Sequence, residues 1–259
     1  MIKPFVLLLH YHIVQTSILI NFLLPLIIII FQFSKTLHVN VNKMSNQLFQ
    51  AIFSQHLLEV VTLVTQEPKL TSIEFHQVKL YPLNFAIQHS STNIVEFLAK
   101  YTYDVNQVTS VGETAMDKAI MCMRPECMKI LFNHGANPFL CSKYAIQMLF
   151  GGAPYIIKAA MQISLYPDQD AIVIEMIQVL LNAGSIINSG HRLPNQIQAL
   201  SALDIAMSTQ HFTLTKFLLD NGAETGLGSV NLKKMIGITD FSDEFNQLLR
   251  SYPKLKFLV

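Results

Sequence analysis

Four residues in the middle of the chain carry the side chains of a tetrahedral metal site: Cys122, Cys127, His134 and Cys141. Thiolates and imidazoles are the donors that zinc takes in a closed structural site. Their spacing matches none of the familiar paired-cysteine arrangements, and Cys127 falls on the buried face of an expected helix. There cysteine serves as a small apolar residue. The four are therefore read as packing residues, with no metal and no cofactor. Gly151-Gly152 runs into Ala153-Pro154, without the Lys-Ser/Thr that a phosphate-binding loop needs. Neither a His-Glu-x-x-His pair nor a Gly-x-Ser-x-Gly elbow is present. No catalytic residue is assigned, and the expectation is a protein that is not an enzyme.

The elements that carry these residues repeat. Ala86 and Ala119 are 33 apart, and the same offset links Tyr81 to Thr114, Val95 to Met128, Leu98 to Leu131 and Thr102 to Gly135. One unit reads YPLNFAIQHSSTNIVEFLAKYTYDVN and the next TAMDKAIMCMRPECMKILFNHGANP. A third copy, SALDIAMSTQHFTLTKFLLDNGAET, runs from Ser201 to Thr225. A fixed period in this range marks a stack of small units, each too small to bury its apolar face alone. Ala86, Ala119 and Ala206 fit a first short helix whose neighbours approach closely. Ile94, Leu98 and Leu131 recur at helical spacing and face the core between units. Thr114 and Ser201 suit helix N-caps, Gly135 and Gly222 a left-handed C-cap, and Asn106 or Asn137 the turn that follows.

These units resemble the ankyrin repeat. The matching residues are Pro82, Leu83 and Ala86 in the first copy, and Gly112, Thr114, Asp117, Ala119, Leu131, Gly135 and Ala136 in the second. In the last they are Leu203, Asp204, Ala206, Leu218, Leu219, Gly222 and Ala223. The resemblance implies an all-α, helix-turn-helix solenoid of four to five repeats including caps. The repeat domain is expected over 44–259, with an N-terminal cap at 45–66, repeats at about 77–109, 110–142, 143–190 and 197–229, and a closing helix at 230–250. One unit departs from the pattern. Gly135 to Gly184 is 49 residues, 16 beyond the period, and the surplus includes FGGAPYIIKAAMQISLYPDQD. Pro154 can open a helix there, and Tyr155, Ile156, Ala159, Ala160 and Ile163 give it one apolar side. It reads as an inserted or lengthened first helix, which either lies against the array and locally covers or reshapes its concave surface or is a tolerated surface insertion with no role.

What the resemblance implies for function is binding of another protein through the concave face, as an interaction module or adaptor. The family's variable positions are Gln77, Val78, Leu80, Gln88 and His89 in the first full repeat. In the next they are Ser110, Val111, Glu113, Met121 and Cys122, and in the last Ile197, Gln198, Leu200, Ser208 and Thr209. The set is mildly apolar, which favours a protein surface over an anionic ligand. His89 and His211 sit where the family's paired helices join and are read as structural, two of the chain's nine histidines.

Composition narrows the classes further. The chain has 259 residues, 51% apolar and only 14% charged, with a formal net charge of +1. From Met44 onward the balance is 15 basic against 17 acidic residues, because Lys3, Lys35 and Lys43 precede it. A charge near −2 argues against a general nucleic-acid binder. Three cysteines and no Asn-x-Ser/Thr acceptor suit a reducing, cytoplasmic compartment. Residues 13–33, IVQTSILINFLLPLIIIIFQF, are long enough to cross a bilayer as a helix. The leader 1–43 is read either as a signal anchor, which makes the protein membrane-tethered, or as the product of a start assigned too early. Met44 is followed by Ser45 and Asn46, residues that suit a helix cap.

Overall fold

The computed structural model describes residues 40–75, 78–140, 151–192, 199–225 and 242–252. Two units are distinguished, with the division after Gln47. Residues 40–47 are the described part of the first and are helical, so Ser45 and Asn46 lie inside a helix rather than opening one. The second unit starts with helical residues 48–53 (α1), then α2 (Leu57–Gln66) and a short 3-10 turn, Pro68–Ser72. Helix pairs follow: α3 (Pro82–His89) with α4 (Thr92–Tyr101), and α5 (Ala115–Met121) with α6 (Pro125–Asn133). Next come α7 (Tyr155–Leu165) with α8 (Asp170–Asn182), α9 (Ala202–Ser208) with α10 (Phe212–Asp220), and α11 (Asp243–Ser251). The expected start of the closing helix at 230 lies outside the described residues, as does the leader through residue 39.

Two layers result. α3, α5, α7 and α9 stack in sequence as inner helices, and α2, α4, α6, α8 and α10 stack behind them. The local chemistry explains why. Thr114 and Ser201 open α5 and α9 with full capping boxes, each hydroxyl accepting from the backbone N–H of Asp117 or Asp204. Ala86, Ala119 and Ala206 have no exposed surface, and a methyl side chain at these positions permits close approach of neighbouring helices. Gly135, Gly184 and Gly222 follow the outer helices at φ of +88°, +94° and +81°, a conformation a side chain would strain. Polar groups then tie one repeat to the next. The Asn106 side chain accepts from the Asn137 N–H at 2.8 Å and donates to the Gly135 carbonyl at 3.2 Å. Asn188 does the same with Glu224 and Gly222. Arg124, from the α5–α6 turn, donates to the Ile87 and Ser90 carbonyls at the end of α3.

The surplus between Gly135 and Gly184 is partly a lengthening of the helix pair. α7 has 11 residues against 7 in α5, and α8 has 13 against 9 in α6, four more in each case. Four residues are about one turn, so the buried stripe keeps facing the same way. Of the forms the sequence left open, α7 takes that of a lengthened first helix and does not cover the concave surface. It is the inner helix of its repeat, packed between α5 and α9, and nine consecutive residues, Tyr155–Ile163, are buried. The physical reason is that both sides of α7 are needed. A helix with neighbours on either side cannot leave the stack without exposing both of them.

A buried ion pair fixes α7 against α5. Lys158 Nζ lies 2.7 Å from Asp117 Oδ1, and neither side chain has any exposed surface. The other carboxylate oxygen of Asp117 accepts from the Thr114 N–H at 2.9 Å and its hydroxyl at 2.7 Å. Thr114 has one hydroxyl proton and gives it to the carboxylate, so Tyr155 donates in the 2.9 Å contact between the two hydroxyls. Lys158→Met removes the cation and leaves a buried carboxylate. The expected loss is about 3–5 kcal/mol in denaturant unfolding followed by circular dichroism, and Asp117→Asn in that background restores part of it. Ala119→Leu is expected to cost about 1–3 kcal/mol in the same measurement, because three added carbons overfill the α3–α5–α7 contact.

Candidate functional site

One turn leads into α3 and another into α5. The first is closed by a bridge between Phe75 and Leu80, and the second by the Thr109 N–H donating to the Glu113 carbonyl at 2.9 Å. Glu74 joins the two, its carboxylate accepting from the Ser110 N–H at 2.7 Å. Between these turns and helices α3 and α5 lies a groove of about 440 Å³. Val78 and Val111, 37% and 52% exposed, form its rim on the turn side. Gln88 and His89 form it on the helix side, and Leu80 and Phe85 lie beneath.

The floor is charged but compensated. Lys118 Nζ and Glu113 Oε1 are 3.1 Å apart, and both side chains are nearly inaccessible to water. Burial pushes the Glu113 carboxyl above the usual range, and the Lys118 charge opposes that rise. His89 packs against Phe85, ring centres 4.6 Å apart, and against Phe53 of α1 at 5.7 Å. Burial, reinforced by the Lys118 ammonium, holds the His89 imidazole below the ordinary histidine value. The groove therefore presents apolar groups and uncharged hydrogen-bonding groups over a neutralised base. It suits apolar side chains flanked by peptide groups, and its charges hold the scaffold together.

The fifteen positions singled out from the sequence separate into distinct groups. Val78, Leu80, Gln88, His89, Val111 and Glu113 come together around the one groove. Leu80 and Glu113 are buried, however, and serve as its base rather than as free contact residues. Ser110 is exposed beside it, with its N–H already held by Glu74. Met121 and Cys122 are half-buried at the end of α5, outside the groove lining, and burial pushes the Cys122 thiol upward. Leu200 is buried and paired with His191 across a turn base, so it cannot meet a partner. Ser208 and Thr209 are half-buried and donate their hydroxyls back to the Ile205 carbonyl. Gln77, Ile197 and Gln198 lie outside the described residues.

Phe53, Phe85 and Lys118 carry no mark in the sequence that sets them apart as surface contacts. Phe85 precedes a repeat alanine and looks like plain core, while Lys118 is identified only by its proximity to Glu113. Of the candidate metal ligands, Cys127 is fully buried in α6, His134 Nε2 lies 2.8 Å from Glu96 Oε1, and Cys141 is outside the described residues.

Residues 48–140 match a protein-family model described as ankyrin repeats, in three copies. That span contains every residue lining the groove. Among curated proteins, none matches the chain.

Because the folded state holds His89 less protonated than the unfolded chain, its contribution to stability is present above the ordinary histidine value of about 6.5. It is lost as pH falls through the lowered value. Imidazole NMR is expected to place His89 below free histidine, and Lys118→Met to move it only part of the way back, since burial is the larger cause.

Proposed function

Because the chain is an ankyrin-repeat protein, we propose that it binds another protein through the groove between its first two turns and helices α3 and α5. Ankyrin repeats are general protein–protein interaction modules, and proteins built from them are typically non-enzymatic. The observation that carries the reading is the groove itself: about 440 Å³, rimmed by Val78, Val111, Gln88 and His89 over the Glu113–Lys118 pair. Two exposed valines, which the stack does not need, stand there beside hydrogen-bonding groups. Interfaces concentrate affinity in such desolvated apolar centres with polar surrounds. The partner inserts one or two apolar side chains between the turns, and Phe53 and His89 extend the contact surface at its N-terminal end.

The test is a double substitution, Val78→Asp with Val111→Asp, in the full chain. Both residues are at the surface, so circular dichroism is expected to stay unchanged. The set of co-purifying proteins, identified by mass spectrometry, is expected to lose its principal members. An unchanged set would overturn the proposal.

The uncharged, apolar run 13–33 supports a second form of the same reading, in which the repeats are tethered to a membrane rather than free in the cytoplasm. Among the described residues no helix is long and apolar enough to cross a bilayer. Peptides from 13–33 in the mature protein, together with resistance to carbonate extraction, are the expected signs of a tether. Recovery of the protein in the soluble fraction would leave the cytoplasmic form.

A further inference from the structure

The helix–helix turns of neighbouring repeats are held partly against the stack, although Ser91, Thr92 and Gln210 are exposed. Ser90 is buried and donates to the Ile52 carbonyl at 2.8 Å, Arg124 is engaged with the end of α3, and Ser208 and Thr209 are half-buried. The turn between α7 and α8 is different. Residues 164–169 are exposed without interruption. The cause is the register lock described above. Tyr155 and Lys158 hold the start of α7 beside the start of α5, while α7 is four residues longer. Their common offset of 41 residues sets Met121, the end of α5, level with Gln162, so α7 runs three residues, about 4.5 Å at 1.5 Å per residue, beyond it. α8 is likewise four residues longer than α6, so the connection between them stands clear of the stack.

This projecting tip is ordered. The Tyr166 N–H donates to the Gln162 carbonyl at 2.8 Å, Gln169 to Tyr166 at 3.1 Å, and Ile172 and Val173 to Gln169 at 3.1 Å. On that rigid turn Leu165 and Tyr166 are each 46% exposed, followed by Pro167, Asp168 and Asp170. No lysine or arginine lies between the buried Lys158 and Arg192 in sequence. Among the described residues neither aspartate forms an ion pair. The tip therefore combines two large apolar side chains with two carboxylates outside any ion pair among the described residues. Asp168 lies in the turn, and Asp170 lies at the start of α8, where it accepts from the Ala171 N–H at 3.1 Å.

We propose that Leu165–Asp170 is a second docking surface, separate from the groove, which inserts Leu165 and Tyr166 into an apolar pocket bordered by lysine or arginine on a partner protein. The charge decides the chemistry of the occupant. Two carboxylates beside the entering side chains repel an acidic rim and attract a basic one, and complementarity of this kind fixes both orientation and partner choice. The turn is already held in shape, so little freedom is lost on binding.

Photo-crosslinking tests this in the full chain. p-Benzoylphenylalanine replaces Tyr166, with Gln247 on α11 as an exposed control position, and crosslinked peptides are identified by mass spectrometry. The protein captured from position 166 is then purified and titrated against wild type, Leu165→Ser/Tyr166→Ser, Asp168→Lys/Asp170→Lys and Val78→Asp/Val111→Asp. The expected result is a crosslinked segment containing lysine or arginine. Affinity should fall about tenfold or more in both tip variants, weaken with added salt, and persist in the groove variant. Three results would overturn the proposal: no crosslink above the control, wild-type affinity in the tip variants, or capture of a second copy of this chain. Loss of affinity in the groove variant alone would assign the captured protein to the groove and equally overturn a separate tip site.

Discussion

In a solenoid each repeat touches only its neighbours, so the molecule depends on inner helices meeting in register. At the junction of α5 and α7 that register is held by a carboxylate and an ammonium with no access to water. The attraction between Asp117 and Lys158 is strong because the site is dry, and the desolvation of both groups offsets much of it. What makes the arrangement sustainable is the satisfaction of the remaining carboxylate oxygen by the Thr114 N–H and hydroxyl. The capping box that starts α5 and the ion pair that positions α7 thus share a single carboxylate. Helix initiation in one repeat and helix placement in the next are coupled there.

The two surfaces of interest both follow from how the inner helices stack. Stacking at alanine contacts brings α3 and α5 close enough for Phe85 and Lys118 to line one depression, and the turns above it are joined by Glu74. The charges of the groove are spent within the scaffold, Glu113 against Lys118, which leaves apolar contact and neutral hydrogen bonding for recognition. On the α7–α8 pair the same lock has the reverse effect. With the helix starts held together, most of the additional length appears at the other end, as an apolar tip that is exposed to solvent. An insertion that keeps whole turns can be absorbed without disturbing the stripe that packs.

Much of the site was legible as positions, and little of it as chemistry. Val78, Gln88, His89 and Val111 fall on the turns and helix ends that the repeat leaves free, and the structure gathers them around one groove. Leu80, Glu113 and Leu200 share those same local positions yet are buried, because each faces inward at the base of a turn. No local pattern separates an outward position from an inward one two residues away. Phe85 and Lys118 belong to the groove only through what their neighbours leave uncovered.

The sequence by itself determined the repeating unit: the period of 33 residues, the alanines of the inner helix, the Thr114 and Ser201 caps and the glycines that end the outer helix. Each of these is satisfied within one turn or one helix pair, so its signal recurs at a fixed short offset. Tertiary structure alone decided between a lengthened first helix and a cover for α7, that Asp117 finds its cation 41 residues onward in Lys158, and that surplus length emerges at Leu165 and Tyr166. Those outcomes depend on which side chains of adjacent repeats face one another across a junction. Gly135 to Gly184 breaks the period, and with the offset lost, only packing and the avoidance of a buried unpaired charge select the partner.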